Sequence, residues 1–343
     1  MSPTKRVVAY ILFLVLLAEV SSRLFWRLVD HTWGLAVPQH IGRLDPELGW
    51  SLLPGAVADS KATGTRVRYA INALGLRGPE TTLEKPAGTF RIVVLGDSHV
   101  FGFGIPLEQH FTTLLQGYFK DVEVLNLGVC GYGVDQMYLR LKRDGFALHP
   151  DLVICYLPHF GDFRHLTDRL WGMGKPRFVD KDGRLELTNS PVGNNSQSTL
   201  AALEADRFLS RWSRTYEILR NTVYAWSIRP KDKPGPLPAL DPQYWAEAVD
   251  LGWRIIRRME TGCQARGMPF VLATSLGELA IAAEKTGTPT AFMAFALHNP
   301  QLALAHDPFR HPNEAANGIL AWELAKFLKS KELVPKEKWL LPF

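Results

Sequence analysis

The residue with the clearest chemical potential is Ser98, within the segment VVLGDSHVFG at residues 93–102. The apolar residues Ile92–Leu95 precede its Gly-Asp-Ser tripeptide and predict a buried strand that breaks at Gly96. Such a strand brings the serine to the carboxyl edge of a parallel sheet, where α/β proteins bind ligands. We expect Gly96 to permit a tight turn and the Ser98 backbone N–H to face a developing oxyanion. The segment therefore predicts a serine nucleophile.

A serine hydroxyl needs a base before it becomes a good nucleophile. His311 lies in the segment HDPFRHPNEAANG, directly before a predicted C-terminal helix, with Asp307 four residues upstream. A carboxylate at that distance can orient the imidazole and stabilise its protonated form. Taken alone, the pair is more typical of a polar loop that opens a helix. Together with the Ser98 segment, it favours a catalytic base.

The bulk composition excludes several other classes of protein. The chain has 343 residues, 46% of them hydrophobic and 21% charged, which suits one large α/β domain with appendages or two modest domains. Its net charge of +5 is spread along the chain, which disfavours nucleic-acid binding. Cys130, Cys155 and Cys263 form no CxxC pair. No H-E-x-x-H ligand set and no G-x-G-x-x-G loop occurs, so we predict neither a metal nor a cofactor.

Strand-like and helix-like segments alternate around the candidate residues. The apolar runs FRIVVLGDS, VEVLNLG, PDLVICYL and MPFVLAT predict buried strands. Helical patterns follow at residues 108–119, in QMYLRLKRDG, at about 243–266 and after HPNEAANG. This alternation predicts a parallel sheet covered on both faces, in a three-layer α/β/α sandwich.

Residues 165–240 interrupt the alternation and are predicted to form an insertion. The segment PRFVDKDGRLELT predicts a hairpin that turns at Asp182-Gly183. A long helix at roughly 199–228 and a proline-rich linker follow. Long excursions from compact sheets are often functional, so we expect the insertion to border the active site as a lid or wall.

The remaining segments define the predicted domain limits. Residues 24–89 form an N-terminal connector and hairpin, in which 24–45 has helical spacing and TRVRYAINALGLRGPE turns at Asn72. The catalytic domain is predicted to span 90–330, and residues 331–343 form a C-terminal tail.

Residues 1–23 have the features of a segment for export. Lys5 and Arg6 precede the apolar run Val7–Ala18, which Glu19 ends. Twelve helical residues span only ~18 Å, short of the ~30 Å hydrocarbon layer, but a pair between Glu19 and Arg23 would ease a longer insertion. We favour an uncleaved signal anchor over a cleaved signal peptide. A buried N-terminal helix is the remaining alternative.

The order of the blocks resembles bacterial membrane-anchored members of the SGNH (GDSL) hydrolase family. The likeness runs over most of residues 40–330 and rests on INALGLRGPE, FRIVVLGDSHVFGFG, VEVLNLGVCGYGVDQ, PDLVICYLPHFGDF and HPNEAANGILAWELAKFL. It implies the flavodoxin-like SGNH form of the three-layer sandwich. It further implies that Ser98 is the nucleophile, His311 the base and Asp307 its partner, with the Ser98 and Gly131 backbone amides in the oxyanion hole.

Two positions depart from the family pattern. The third block normally supplies an asparagine amide to the oxyanion hole, and Gly161 stands in its place. One missing oxyanion donor can cost about 10²–10³ in rate, so we expect a site that is slower than a full SGNH enzyme on simple esters. The family aspartate lies three residues before the histidine, whereas Asp307 lies four before His311.

Two further histidines are candidate pocket residues. His99 directly follows the nucleophile and is expected to line the pocket. His159 lies two residues before Gly161, where its ring would replace the lost amide if it turned inward; a structural or surface histidine is an equal alternative.

The resemblance implies a serine esterase or O-acyl transferase acting on an acylated carbohydrate or another ester. Export favours an envelope or secreted glycan, with the catalytic domain on the periplasmic or extracytoplasmic side and the N-terminal segment in the membrane. A non-catalytic binding or scaffold protein of an exopolysaccharide system, retaining the fold, is the alternative from another class.

Overall fold

The computed structural model describes residues 2–29, 41–60, 66–159, 164–170, 173–192, 242–293, 299–304, 307 and 311–340, together with residues 209, 213, 215, 216 and 219. The α-helices within these residues are α1 (Pro3–Val29), α2 (Ser98–Phe101), α3 (Phe111–Gln116), α4 (Val134–Arg140), α5 (Pro242–Gln264), α6 (Gly277–Thr286) and α7 (Glu314–Ser330). The strands are β1 (Gly42–Asp45), β2 (Gly49–Leu52), β3 (Val57–Ser60), β4 (Val67–Ala70), β5 (Phe90–Leu95), β6 (Val122–Asn126), β7 (Leu152–Leu157), β8 (Arg169–Leu170), β9 (Met173–Gly174), β10 (Arg177–Lys181), β11 (Arg184–Thr188), β12 (Phe270–Thr274) and β13 (Thr290–Phe292).

A five-stranded sheet with the order β13-β12-β7-β5-β6 forms the centre of the molecule. All four neighbouring pairs in it are parallel. The chain enters at β5, places β6 on one side and adds β7, β12 and β13 on the other. This is the flavodoxin-like order, and its switch point lies between β5 and β7. The predicted fold class is confirmed.

The period of two along β5 builds the two outer layers. Ile92 and Val94 pack on one face of the sheet, with buried residues of α3 and α7. Val93 and Leu95 pack on the other face, with buried residues of α4 and α5. These four strand residues are fully buried, as expected for a strand covered on both sides.

The segment before β5 packs onto the sandwich. Strands β1 and β2 pair antiparallel, as do β3 and β4. Leu48 and Tyr69 from this segment join the same core cluster as Leu95. The predicted turn at Asn72 is present, since its Oδ1 accepts hydrogen bonds from the backbone N–H groups of Leu74 (3.0 Å) and Leu76 (2.9 Å).

The helical pattern at residues 108–119 overestimates the helix that forms. A 3₁₀ turn covers Leu107–Gln109, and α3 begins only at Phe111. Between them His110 is extended, with φ −77° and ψ 141°, and its side chain accepts from the Thr112 N–H as the N-cap of α3. A side chain that caps a helix cannot also continue one, so the periodic segment divides there.

The predicted insertion is described in part. Strands β10 and β11 form the expected hairpin, and both turn residues, Asp182 (φ 51°) and Gly183 (φ 75°), are left-handed as a two-residue hairpin turn requires. The predicted helix at 199–228 lies outside the described residues except for isolated positions, and so does the proline-rich linker.

Helix α1 carries the N-terminal apolar run. The large hydrophobic side chains from Val7 to Val20 are exposed, and the Glu19 carboxylate pairs with the Arg23 guanidinium at 2.8 Å. Among the residues that the structure describes, no helix is both long enough and apolar enough to cross a lipid bilayer.

Candidate active site

The turn that carries Ser98 is shaped by close packing. Strand β5 ends at Leu95, and after Gly96 and Asp97 the one-turn helix α2 begins at Ser98. A Cβ on Gly96 would lie 2.1 Å from Val100 Cγ2 and 3.0 Å from the Tyr156 carbonyl oxygen. Gly96 is thus required because a side chain would not fit at this position. We expected the turn to depend on the conformational freedom of glycine, but it does not, because the φ of Gly96 is not left-handed.

Helix α2 has too few internal hydrogen bonds to be stable alone. Asp97 caps its N-terminus by accepting from the His99 N–H at 2.9 Å. At the other end Arg77, from the INALGLRGPE segment, donates to the carbonyls of Phe101 (2.8 Å) and Gly102. The ring Nε2 of His110 lies 3.1 Å from the His99 carbonyl oxygen, to which it donates. These side chains fix the helix that presents the serine.

Ser98, His311 and Asp307 form one hydrogen-bonded chain. The Ser98 Oγ lies 2.8 Å from His311 Nε2, and His311 Nδ1 lies 2.6 Å from Asp307 Oδ2. The same carboxylate oxygen accepts from the His311 backbone N–H at 2.7 Å. Because a carboxylate only accepts, Nδ1 carries the proton and Nε2 is left to accept from the serine hydroxyl. The spacing of four residues between Asp307 and His311 thus allows the contact.

Hydrogen bonds of His311 and of the residues that follow it position the His311 imidazole. The His311 carbonyl accepts from the Leu304 N–H at 2.8 Å. Asn313 caps α7 through its side chain, which accepts from the Ala316 N–H at 3.1 Å. One turn later the Asn317 side chain accepts from the Phe111 N–H at 3.0 Å and so joins α7 to α3. His311 is therefore attached to a helix that packs on the sheet.

Burial lowers the pKa of His311 from its ordinary value of 6.5, while the hydrogen bond that His311 donates to Asp307 opposes the shift and the neighbouring His99 adds to it. A lowered pKa keeps the imidazole neutral, the form that accepts a proton, at neutral pH.

The loop after β6 places Gly131 at the same edge of the sheet. Gly131 has a left-handed φ of 83°. The indole Nε1 of Trp50, in β2, donates to the Cys130 carbonyl at 2.9 Å, and the Tyr132 hydroxyl donates to the Trp50 carbonyl at 2.6 Å. These bonds clamp the peptide on each side of Gly131. The other predicted oxyanion residue, Gly161, lies outside the described residues.

His99 and His159 both face the Asp97 carboxylate. His99 Nδ1 lies 3.1 Å from Asp97 Oδ1, and His159 Nε2 lies 4.0 Å from Oδ2. Arg164 donates to Oδ2 at 3.3 Å. Burial alone would raise the pKa of the Asp97 carboxyl, but His99, His159 and Arg164 outweigh it and hold that pKa well below its usual range. Burial, with His99, lowers the pKa of His159 to about 3.

Asp97, His99 and His159 also have the donor types of a metal site, with one ligand atom from each within 4.8 Å of the others. In this arrangement the carboxylate already accepts from a histidine and from a guanidinium cation. The hydrogen-bonded network accounts for the cluster without an ion, and the adjacent Arg164 charge opposes one.

Sequence reasoning missed several residues that build the site. Neither Arg77 nor His110 was predicted to support α2, and Arg164 was not predicted to reach Asp97. Trp50 was not connected to the Gly131 loop. The sequence signal that could have found them is a charged or polar residue, above all Arg77, within a segment that becomes buried. Such residues are rarely buried unless they are paired.

No family model matches this chain, and no curated protein is similar to it. Solved structures that are similar include a GDSL-like lipase from Bacteroides thetaiotaomicron, with 11% identity and a TM-score of 0.38 over 73% of this chain and 93% of that one. A psychrotrophic esterase, EstA, from Pseudoalteromonas sp. has 12% identity and a TM-score of 0.39, over 71% of this chain and 98% of that one. An acetyl xylan esterase, AlAXEase, has 14% identity and a TM-score of 0.39, over 69% and 98%.

These similar structures are a GDSL-like lipase and two esterases.

Proposed function

We propose that the protein is a serine esterase or O-acyl transferase of the SGNH type. The observation that carries the proposal is the chain from Ser98 Oγ through the His311 ring to the Asp307 carboxylate, with distances of 2.8 Å and 2.6 Å. Ser98 directly follows the turn at the carboxyl end of β5, next to the switch point of the sheet, which is where this topology binds ligands.

The reaction follows from these contacts. Ser98 Oγ attacks the ester carbonyl carbon as its proton passes to His311 Nε2, and the carbonyl π pair moves to the oxygen. The Ser98 and Gly131 amides stabilise that oxyanion. When the tetrahedral intermediate collapses, the bond to the leaving alkoxide breaks and His311 protonates it. Water or a sugar hydroxyl, deprotonated by His311, then attacks the acyl carbon, the bond from that carbon to Ser98 Oγ breaks, and His311 returns the proton to Ser98 Oγ. Asp307 holds Nδ1–H and stabilises the imidazolium formed in each half of the cycle.

The proposal is tested with a fluorophosphonate probe and a short activated acyl ester. We expect the wild type to be labelled and to hydrolyse the ester, and Ser98→Ala to do neither. Circular dichroism of both proteins checks that the fold is intact. If the wild type is labelled no faster than Ser98→Ala, the enzyme proposal fails and a non-catalytic glycan-binding protein takes its place.

We further propose an acylated carbohydrate of the envelope or a secreted glycan as the substrate. Support comes from the esterase chemistry together with the export features of the N-terminal segment. Hydrolysis and transfer are separated by adding an oligosaccharide acceptor: a transferase produces acylated sugar at the expense of free acid. Release of acid alone, at every acceptor concentration, would mean a hydrolase.

We also propose that α1 attaches the catalytic domain to the outer face of the cytoplasmic membrane. Lys5 and Arg6 precede an exposed apolar surface, and the Glu19–Arg23 pair reduces the charge at its end. A reporter enzyme fused after residue 40 should be active only outside the cytoplasm. Activity confined to the cytoplasm would contradict the proposal.

A further inference from the structure

Arg164 is a buried arginine at the carboxyl edge of the sheet, in the 3₁₀ turn Arg164–Leu166 that follows β7. Its side chain is only 10% exposed. Burying a guanidinium is unfavourable unless it is paired and hydrogen-bonded, so the groups around Arg164 indicate which ligand it could bind.

The backbone of Arg164 packs on the loop that carries Gly131. A Cβ on Gly133 would lie 3.0 Å from the His165 nitrogen and 3.2 Å from the Arg164 carbonyl carbon. Gly133 is two residues beyond Gly131. Position 133 must therefore be a glycine for the two loops to approach this closely.

The guanidinium of Arg164 reaches the residue before the nucleophile. It donates to Asp97 Oδ2 at 3.3 Å, and Asp97 adjoins Ser98. The side chain thus runs from the Gly131 loop to the Ser98 turn. The oxyanion hole is expected between the same two segments, because the Ser98 and Gly131 amides are its predicted donors.

The contact with Asp97 leaves donor capacity on the guanidinium. An arginine carries five N–H donors, and charge-assisted bonds are usually about 2.7–2.9 Å long. The bond to Asp97 is longer, at 3.3 Å, and the buried Nε has no hydrogen-bond partner among the described residues. Asp97 also accepts a hydrogen bond from His99 Nδ1, at 3.1 Å.

We infer that Arg164 donates a hydrogen bond to the substrate carbonyl oxygen as it becomes an oxyanion, and so supplies the side-chain donor that Gly161 lacks. This inference rests on the proposed esterase function. The guanidinium keeps its proton throughout: the Ser98 Oγ–carbon bond forms, the hydroxyl proton goes to His311, and the new negative charge on oxygen is bound by Arg164 and two backbone amides. The oxyanion hole then has its side-chain donor, and that donor lies three residues beyond Gly161 in the chain.

The test is kcat and KM on one activated ester for the wild type, Arg164→Ala, Gly161→Asn and the double variant. Loss of an oxyanion donor typically costs about 10²–10³ in kcat, so Arg164→Ala should fall by that factor with KM changed by less than about threefold. Gly161→Asn should raise kcat of Arg164→Ala about tenfold or more, because a donor is missing in that background, and should give no comparable gain in the wild type. Guanidinium ion added to Arg164→Ala should restore part of the rate.

A structural role for Arg164 predicts other results. If the residue only balances Asp97, Gly161→Asn has the same effect in both backgrounds and guanidinium rescues nothing, which would overturn the inference. Arg140→Ala is the matched control, since Arg140 is also a buried arginine but donates to the Gly75 carbonyl. It should lower the melting temperature and leave kcat within about threefold.

Two further measurements keep the outcomes distinct. Should Arg164→Ala fail to fold, Arg164→Lys retains the charge, and its comparison with Arg164→Lys/Gly161→Asn replaces the alanine pair. If the wild type is labelled at Ser98 and is active, but substitution of Arg164 leaves kcat unchanged, this inference alone fails. Should Ser98→Ala be as active as the wild type, the proposed function fails first.

Discussion

Two aspartate–histidine pairs border Ser98, and they are locally alike. In one, Asp97 accepts from the backbone N–H of His99 at 2.9 Å and lies 3.1 Å from its Nδ1. In the other, Asp307 accepts from the backbone N–H of His311 at 2.7 Å and lies 2.6 Å from its Nδ1. The two imidazole rings are 5.1 Å apart.

The pairs differ in what lies beyond the ring. His311 presents Nε2 to Ser98 at 2.8 Å across a sequence separation of 213 residues. His99 belongs to the same short helix as Ser98, as its immediate neighbour, and adjacent helix positions do not face each other. Its aspartate is shared with Arg164 and caps the helix. Of the two pairs, only that of His311 thus places its second ring nitrogen against the serine hydroxyl.

The largest effect is expected from Ser98 and His311, which are hydrogen-bonded to each other. Ser98→Ala and His311→Ala should each lower kcat by about 10⁴- to 10⁶-fold and leave the fold intact, because nucleophile and base act as a unit. Steady-state kinetics on a short acyl ester, with circular dichroism as the fold control, measures this. An equal loss in His99→Ala would erase the distinction between the pairs.

The next largest effect is expected from Asp307, whose carboxylate is proposed to orient His311. Asp307→Asn should lower kcat by about 10³- to 10⁴-fold, since the amide no longer stabilises the imidazolium or selects the tautomer. The measurement is kcat in the plateau of the pH profile. A loss below about tenfold would mean that the backbone contacts of His311 suffice to orient the ring.

The pH dependence sharpens the same comparison. The base works when neutral, and burial lowers the pKa of His311 from 6.5, so kcat/KM of the wild type should rise with pH and reach half its plateau below pH 6.5. The Asp307 hydrogen bond raises that pKa against burial. Its removal in Asp307→Asn should therefore move the midpoint to still lower pH. A shift to higher pH would contradict the assignment of His311 as the base.

A smaller effect is expected in the second pair. His99→Asn should lower kcat by at most about tenfold and lower the melting temperature, because the His99 ring bonds Asp97 and packs around α2. The bond from His110 is to the backbone carbonyl of residue 99, so it does not depend on the side chain there. Thermal unfolding and kinetics on one preparation give both numbers. Unchanged melting with a much larger kinetic loss would place His99 in the reaction.

The smallest effect is expected from His159, whose side chain is 31% exposed and lies 4.0 Å from Asp97. His159→Ala should change kcat by about threefold or less, since Arg164 is the proposed donor to the oxyanion. The comparison with Arg164→Ala on the same ester decides between them. A loss of about 10² in His159→Ala would transfer the donor role to that ring.

Much of the frame could be predicted because it depends on local pattern. The unbroken apolar runs identified β5, β7 and β12, and the Gly-Asp-Ser tripeptide placed Ser98 directly after a strand. The hairpin at Asp182-Gly183 followed from turn residues that tolerate a left-handed backbone. The break at His110 was missed because its capping bond to Thr112 competes with a periodicity that looks helical.

The amino-acid sequence by itself determined which segments must be buried as strands and which residue types are available at their ends. Only the tertiary structure decided that His311, and not the neighbouring His99, reaches the serine. It also decided that Arg164 lies between the Asp97 turn and the Gly131 loop, and that Trp50 clamps that loop. The reason is physical: burial and turn propensity depend on near neighbours in the chain, whereas these hydrogen bonds join residues 67 to 213 positions apart, which approach only once the sheet has formed.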